Sequence, residues 1–212
     1  MSDVPVSQFE ATLNRLGRYA AVSQPGTVAS IHQLRAEFGV SITTAREATR
    51  ALEILGMISV RRQVGVVVNP RADWDLLHPA VIGWRHEGAD RVHQEHELAD
   101  LALAIDTAAA GRITDHGTVD LRIHAAAMAE AEHDGLDTLA AREDRDFHLA
   151  LARSSGNALF AHLASVIASQ AEATGSPYCH GTAAAHHELV EAAESSDPGA
   201  ATAAVALLHR TR

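Results

Sequence analysis

The chain has 212 residues, of which 47% are hydrophobic, 17 are basic and 27 acidic, giving a formal net charge of −10. This length suits one large or two small domains, and the negative total argues against bulk attraction to nucleic acid. The single cysteine, Cys179, excludes an intrachain disulfide, and no apolar run approaches the roughly 20 residues that span a bilayer. With the polar start of the chain, these features predict a cytoplasmic protein with no membrane partner.

The charge is distributed unevenly along the chain. Residues 1–71 carry eight arginines and five acids, a net charge of +3, whereas the remainder carries nine arginines and 22 acids, a net charge of −13. A mildly basic head on an acidic body indicates a DNA-reading domain joined to a domain with another task.

The head predicts three helices, each with a recognisable start. Capping boxes, in which a serine precedes Glu or Gln by three residues, mark the first two helices at Ser7 and Ser30. Gly39 is placed to end the second helix in the left-handed conformation, Ser41 to cap the third, and Gly56 to end it. A helix, a glycine turn and a second helix form a helix-turn-helix, whose second helix lies in the major groove of DNA.

Residues 58–68 predict a two-stranded wing that turns near Gln63 to Gly65. Three helices and a wing make a winged helix-turn-helix over residues 1–70. We expect its third helix and wing to bind DNA through eight residues: Thr43, Thr44, Arg46, Arg50, Arg61, Arg62, Gln63 and Gly65. Arg46 and Arg50 would contact phosphates or a guanine edge, and Gly65 would let the wing backbone approach closely. The alternatives are an intradomain salt bridge for Arg46 and, for the whole domain, a helical fold with no DNA role.

The rest of the chain is mainly helical in pattern. Residues 71–88 are the predicted linker, and we expect its two tryptophans, Trp74 and Trp84, to be packing anchors. Residues 89–212 predict an all-α antiparallel bundle. Its helices are expected at about 90–112, 115–133, 137–154, 157–173, 182–195 and 198–210.

The bundle contains candidate metal ligands. Asp144 and His148 are four residues apart on one predicted helix and therefore share a face. His186 and His187 lie on a later helix and His209 on the last one. A carboxylate and two or three imidazoles suit Zn²⁺, Ni²⁺, Mn²⁺ or Fe²⁺ if facing helices bring them together. On spacing alone, solvated surface histidines are the commoner outcome.

Taken together, these motifs resemble the GntR family of bacterial transcription regulators, in the FadR subfamily with the all-helical FCD effector domain. Phe38-Gly-Val-Ser41 and Ala45-Arg-Glu-Ala48 are similar to the family's "FGVS…VREAL" core. Residues 74–84 resemble the linker of members that answer to sugar acids such as galactonate or gluconate. Asp144-Arg-Asp-Phe-His148, followed by Ser155-Gly-Asn157, resembles the "DxxFH…SGN" signature of the FCD domain.

The resemblance implies a homodimeric DNA-binding regulator, most often a repressor. Its operator affinity would be controlled by a small carboxylate, such as a sugar acid, bound in a metal-containing pocket of residues 89–212. The implied ligands are Asp144, His148, His186 and His209, with His187 as the alternative to His186.

The chain also departs from the family pattern. His32 and Ile42 stand where the family has arginines that help to hold DNA, which predicts weaker binding or a different operator. Ala102 replaces an arginine that clasps the effector in the family's "LRxxIE" segment, which ends here at Asp106.

Two further functions stay open on the sequence. Asp and His ligands also suit a metal-dependent hydrolase, although no catalytic motif such as a HExxH helix accompanies them, so we expect no enzyme. The second alternative is a DNA-binding protein whose helical domain only dimerises.

Overall fold

A computed structural model describes residues 7–113, 117–175, 178, 181–195 and 197–209. The chain divides into two compact units, Met1–Gln94 and Glu95–Arg212. Cys179 and the predicted helix limits at residues 115 and 210 lie outside the described residues.

The first unit begins with the three predicted helices. They are α1 (Gln8–Val22), α2 (Ile31–Phe38) and α3 (Ile42–Ile54). The side chains of Ser7, Ser30 and Ser41 each accept a hydrogen bond from a backbone N–H in the first turn of the helix that follows. Gly39 adopts the left-handed conformation at φ 66° and ends α2. The capping predictions are therefore confirmed.

A small antiparallel sheet completes the winged helix. Its strands are β1 (Val28–Ala29), β2 (Ile58–Arg61) and β3 (Gly65–Val68), in the order β1-β3-β2. The predicted wing is the hairpin of β2 and β3, in which Ile58 faces Val68 and Arg61 faces Gly65. Strand β1 widens the predicted two-stranded wing to three strands, because Val28 and Ala29 pair with Val67 and Val66.

The segment after the wing belongs to the core of this unit. It forms a 3₁₀ turn (Arg71–Asp73) and an unpredicted helix, α4 (Pro79–His86). Trp74 and Trp84 are both buried in the same cluster as Leu16 and Leu52, as expected of packing anchors. The indole N–H of Trp84 donates to Oδ1 of Asn14 at 3.0 Å.

The second unit is helical and confirms the mainly α fold with a winged-helix head. The division between Gln94 and Glu95 falls within the first of the six helices that follow. They are α5 (Arg91–Ala110), α6 (Gly117–His133), α7 (Asp137–Ser154), α8 (Ala158–Thr174), α9 (Ala183–Glu194) and α10 (Pro198–Leu208). Helix α7 packs against α6 and α8, and α9 packs against α6 and α10. The core of this unit combines many alanines with larger side chains such as Phe147, Leu151 and Leu189. Within the described part of the chain, none of the helices is both long and apolar enough to cross a membrane.

Candidate DNA-binding surface and candidate metal centre

The exposed face of α3 carries three of the predicted DNA contacts. Ala45, Ala48 and Leu52 turn into the core, which leaves Thr43, Arg46 and Arg50 exposed on the opposite face. Among the described residues, the side chains of Arg46 and Arg50 engage in no hydrogen bond or ion pair, so the salt bridge considered for Arg46 is not formed there. The two guanidinium groups are thus available to an anion.

Thr44, predicted as a DNA contact, has a local partner. Its hydroxyl lies 2.8 Å from the hydroxyl of Ser41, whose oxygen also accepts the backbone N–H of Thr44 at 3.0 Å. Thr44 is half-buried and forms part of the cap of α3.

A groove of about 700 Å³ separates α3 from the wing. Five of the eight predicted DNA-binding residues line it: Arg46, Arg50, Arg61, Gln63 and Gly65. Glu53 accepts the backbone N–H of Val60 across the groove at 3.1 Å and so ties the wing to α3. Arg62 is exposed at the wing turn beside Gln63, which adopts φ 66° there.

Gly65 has a structural reason to be glycine that sequence reasoning missed. Its φ is +116°, and a Cβ atom would lie 2.6 Å from the carbonyl oxygen of Ala29. A contact this short with backbone excludes any side chain while β1 and β3 stay paired. Strand β1, which places Ala29 beside Gly65, has only two residues, and the amino-acid sequence does not predict it clearly.

The second unit brings three of the predicted metal ligands together. His148 lies one turn after Asp144 on α7, with Nε2 at 3.6 Å from Oδ1 of Asp144. Helix α9 places Nε2 of His186 at 3.2 Å from the same carboxylate oxygen. The imidazoles are fully buried and the carboxylate nearly so. One atom from each residue lies within 4.8 Å of the others, which is a grouping able to hold a metal ion.

The predicted ligand His209 lies beside a residue that sequence reasoning did not select. Its Nε2 is 2.8 Å from Oδ2 of Asp106 on α5, and the same oxygen lies 2.7 Å from Nδ1 of His148. Asp106, His148 and His209 form a second donor group. Asp106 is fully buried. The sequence feature that could have identified it is an acid directly after Ile105, on a helix whose buried residues are otherwise small or apolar.

His187, the alternative ligand, is half-exposed and lies outside both buried groups. The Nδ1 of His186 instead lies 2.8 Å from the carbonyl oxygen of Thr182, which sets the orientation of its ring. The ring of Tyr178 stacks on His148 with centroids 4.5 Å apart. A third, half-buried group of possible ligands joins His124 to Glu143 and Asp146.

Both buried carboxyl groups stay ionised. Burial alone would raise the pKa of Asp144, but hydrogen bonding and charge from His148 and His186 outweigh it and lower that pKa. The pKa of Asp106 is lowered in the same way by His148 and His209, against the cost of burial. The site therefore concentrates two negative charges among three imidazoles.

The chain matches two family models. The FCD domain matches residues 97–210, and the bacterial regulatory proteins of the gntR family match residues 20–68. YieP, an uncharacterized HTH-type transcriptional regulator of Escherichia coli strain K12, is 36% identical over 62 residues, which make up 29% of this chain and 27% of YieP. The chain thus spans about a quarter of the length of this curated relative.

Solved structures give a similar fold. Lar, which controls the expression of the Listeria monocytogenes agr system and mediates virulence, matches with a TM-score of 0.55 and 16% identity. That match covers 94% of this chain and 92% of the other, and at this identity it establishes the fold alone. A GntR protein of Streptococcus agalactiae matches at 25% identity with a TM-score of 0.49, covering 93% of this chain and 95% of the other.

Proposed function

The chain belongs to the GntR family of bacterial regulatory proteins and carries an FCD domain, and from this premise we propose that it is a homodimeric transcriptional repressor. In this proposal a small carboxylate, such as a sugar acid, controls operator affinity by binding in a metal-containing pocket of the helical unit. The observation that carries the proposal is the buried group of Asp144, His148 and His186.

DNA binding rests on the free arginines of the first unit. Arg46, Arg50 and Arg61 line one groove, and within the described chain none of the three side chains has an anionic partner. In a dimer, two such surfaces would occupy successive major grooves of a palindrome, with the wings beside them. A regulator of this class acts on the chromosome, in the bacterial cytoplasm.

The donor set fits a divalent transition metal. Two imidazole nitrogens and one carboxylate oxygen are a common protein set for zinc and its neighbours, and three protein ligands leave coordination positions open. The two imidazoles present Nε2 to the same oxygen of Asp144, at 3.6 and 3.2 Å. One atom from each of the three groups lies within 4.8 Å of the others, close enough for all three to bind a single cation.

Asp144, His148 and His186 would hold that metal. When bound, it supplies an open coordination position and a positive charge for a carboxylate ligand. The chain itself orients the donors: the carbonyl of Thr182 holds His186, and the Tyr178 ring packs flat against His148. Control of DNA affinity then requires that the effector favour one arrangement of the two DNA-binding heads, because a ligand with equal affinity for both would shift nothing.

The same observations bear on the two alternative functions, a metal-dependent hydrolase and a helical unit that only dimerises. The family match supports a DNA-binding regulator and not a metal-dependent hydrolase. A helical unit that only dimerises would not need two buried imidazoles facing one buried carboxylate oxygen. Elemental analysis tests the second alternative, since a purely dimerising unit would contain no stoichiometric metal.

Fluorescence anisotropy tests the proposal directly. Labelled DNA from upstream of the chain's own gene is titrated with protein, with and without Zn²⁺ and gluconate or galactonate. An allosteric effect of typical size would weaken binding by about 5- to 150-fold. Asp144→Ala should still bind DNA but should not respond to the sugar acid, whereas Glu143→Gln, whose carboxylate contacts His124 instead, should respond as the parent does. A parent protein that does not bind this DNA, or an Asp144→Ala variant that responds fully, would contradict the proposal.

A further inference from the structure

The half-buried donor group of His124, Glu143 and Asp146 lies where α6 packs against α7. His124 belongs to α6, and the two acids belong to α7. One ligand atom from each residue lies within 4.8 Å of the others. None of the three residues belongs to the buried groups around Asp144 and Asp106. We call these three residues the outer donor group.

We propose that the outer donor group is a separate binding site for a divalent transition metal ion such as Zn²⁺. The bound ion joins α6 to α7 and stabilises the helical unit. The site needs neither DNA nor an effector, so it is independent of the function proposed above.

The helices place the three donors at one point. Glu143 and Asp146 are three residues apart on α7 and therefore lie one turn apart on the same side of that helix. The acid between them, Asp144, instead directs its carboxylate at His148 and His186. Helix α7 thus presents carboxylates to two different donor groups, and only the outer one includes a ligand from α6.

The kinds of donor favour a transition metal. Imidazole nitrogen is a ligand for zinc and its neighbours in the periodic table, whereas Mg²⁺ and Ca²⁺ prefer oxygen ligands alone. A metal ion binds the neutral form of an imidazole and the charged form of a carboxylate. The outer donor group therefore contributes two negative charges, which match the charge of a divalent cation.

The distances are close to those of a zinc site. Nδ1 of His124 lies 2.9 Å from Oε2 of Glu143. Two ligand atoms on one tetrahedral zinc ion, each bound at about 2.1 Å, lie about 3.4 Å apart. A shift of about half an ångström in these side chains would therefore admit the ion between them.

Burial of the outer donor group permits both access and shielding. The side chain of Glu143 is 12% exposed, and those of His124 and Asp146 are 27% and 36% exposed, so an ion can enter from solvent. Asp146 also lies 3.6 Å from Nε of Arg142, whose side chain is 66% exposed. An ion pair this exposed contributes little free energy, so it does not keep Asp146 from a metal ion.

Zinc content of the full-length chain tests this site. The protein is equilibrated at a free Zn²⁺ concentration set by a chelator, and bound zinc is measured by elemental analysis. His124→Ala and Glu143→Gln should each contain one zinc ion fewer per chain than the parent. His133→Ala is the matched control, an exposed histidine on the same helix outside the three donor groups, and should bind as the parent does. Circular dichroism should show unchanged helix content in all three variants.

The Asp144→Ala variant separates this site from the buried one. It should keep one zinc ion per chain, and Zn²⁺ should raise its thermal unfolding midpoint, because an ion that binds the folded state stabilises it. Adding His124→Ala to this variant should abolish both the bound zinc and the shift. If the buried metal centre of the proposed function is wrong, the parent contains a single zinc ion, which Asp144→Ala keeps and His124→Ala loses.

Several outcomes would overturn the outer site. They are equal zinc content in His124→Ala and the parent, an equal loss in His133→Ala, and zinc retained by the combined Asp144→Ala and His124→Ala variant. A zinc ion lost from Asp144→Ala and kept by His124→Ala would overturn the outer site while supporting the buried centre. A parent that binds no zinc would overturn both.

Discussion

Substitution of Gly17 by alanine is expected to destabilise the first unit, because α1 and α4 touch at this residue. A Cβ atom on Gly17 would lie 2.3 to 2.5 Å from three atoms of the Trp84 ring. These atoms belong to the rigid fused ring, so the whole indole must move to relieve the clash. Trp84 is buried and donates a hydrogen bond to Asn14 at 3.0 Å, so movement also weakens that bond.

The expected magnitude follows from two opposing effects. Alanine favours an isolated helix over glycine by about 0.8–1 kcal/mol. Overpacking of a core typically costs about 1–3 kcal/mol, and a weakened hydrogen bond adds about 0.5–1.5 kcal/mol. We therefore expect Gly17→Ala to lower the free energy of unfolding by about 1–3 kcal/mol. Gly83→Ala is the matched control, since nothing lies within 4 Å of its Cβ, and it should be neutral or stabilising.

Tryptophan fluorescence during urea denaturation measures this effect in the intact protein. The chain has only two tryptophans, and both are buried in the core of the first unit, so their signal reports on that unit alone. Equal midpoints for Gly17→Ala and the parent would refute the packing of α4 against α1. A loss as large in Gly83→Ala would refute the clash as its cause.

Three further outcomes are expected in the first unit. Arg46→Ala should weaken operator binding by about 1–3 kcal/mol and, if it contacts a phosphate, reduce the salt slope by about 1; an unchanged anisotropy titration would remove Arg46 from the interface. Gly65→Ala should unfold at lower urea than Gly26→Ala, because both have positive φ but only Gly65 also meets a carbonyl oxygen; equal midpoints would contradict this. Hydrogen bonds from Ser7 lower the pKa of Glu10, so the stability it adds should be full above its ordinary pKa and fade as the pH falls through the lower folded value. The stability of Glu10→Gln should therefore depend less on pH across that acidic range, and an identical profile would speak against the cap.

Local signals explain why most of the first unit could be predicted. Ser7, Ser30 and Ser41 act through hydrogen bonds to residues three positions away, so the sequence alone contains both partners. Helix α4 was missed because it has only eight residues, starts with Pro79 and includes Gly83. Its stability comes from the burial of Trp84 against α1, a contact between residues about 70 positions apart.

In the candidate metal centre, too, only contacts between residues close in the sequence could be predicted. Asp144 and His148 could be paired from their spacing, because a helix places residues four apart on one face. Asp106 could not, since its partners His148 and His209 lie about 40 and 100 positions later in the chain. The choice between His186 and His187 likewise depends on the rotation of α9, which packing against the other helices decides.

The charge of the second unit leads to a final prediction about how metal and effector are coupled. Residues 95–212 carry seven arginines and 18 acids, a net charge of −11, and two of these acids, Asp106 and Asp144, are buried in the candidate site. A carboxylate effector that binds beside Asp144 and Asp106 needs positive charge close by, which a bound metal ion would supply. Gluconate or galactonate should therefore bind only to metal-loaded protein. Binding equilibria are reciprocal, so the sugar acid must raise Zn²⁺ affinity by the same factor by which Zn²⁺ raises affinity for the sugar acid. Chelator competition with and without the sugar acid measures one factor, and calorimetric titration of the sugar acid with and without Zn²⁺ measures the other. Equal sugar-acid affinity in metal-free protein would show that the acid binds elsewhere than at Asp144, His148 and His186.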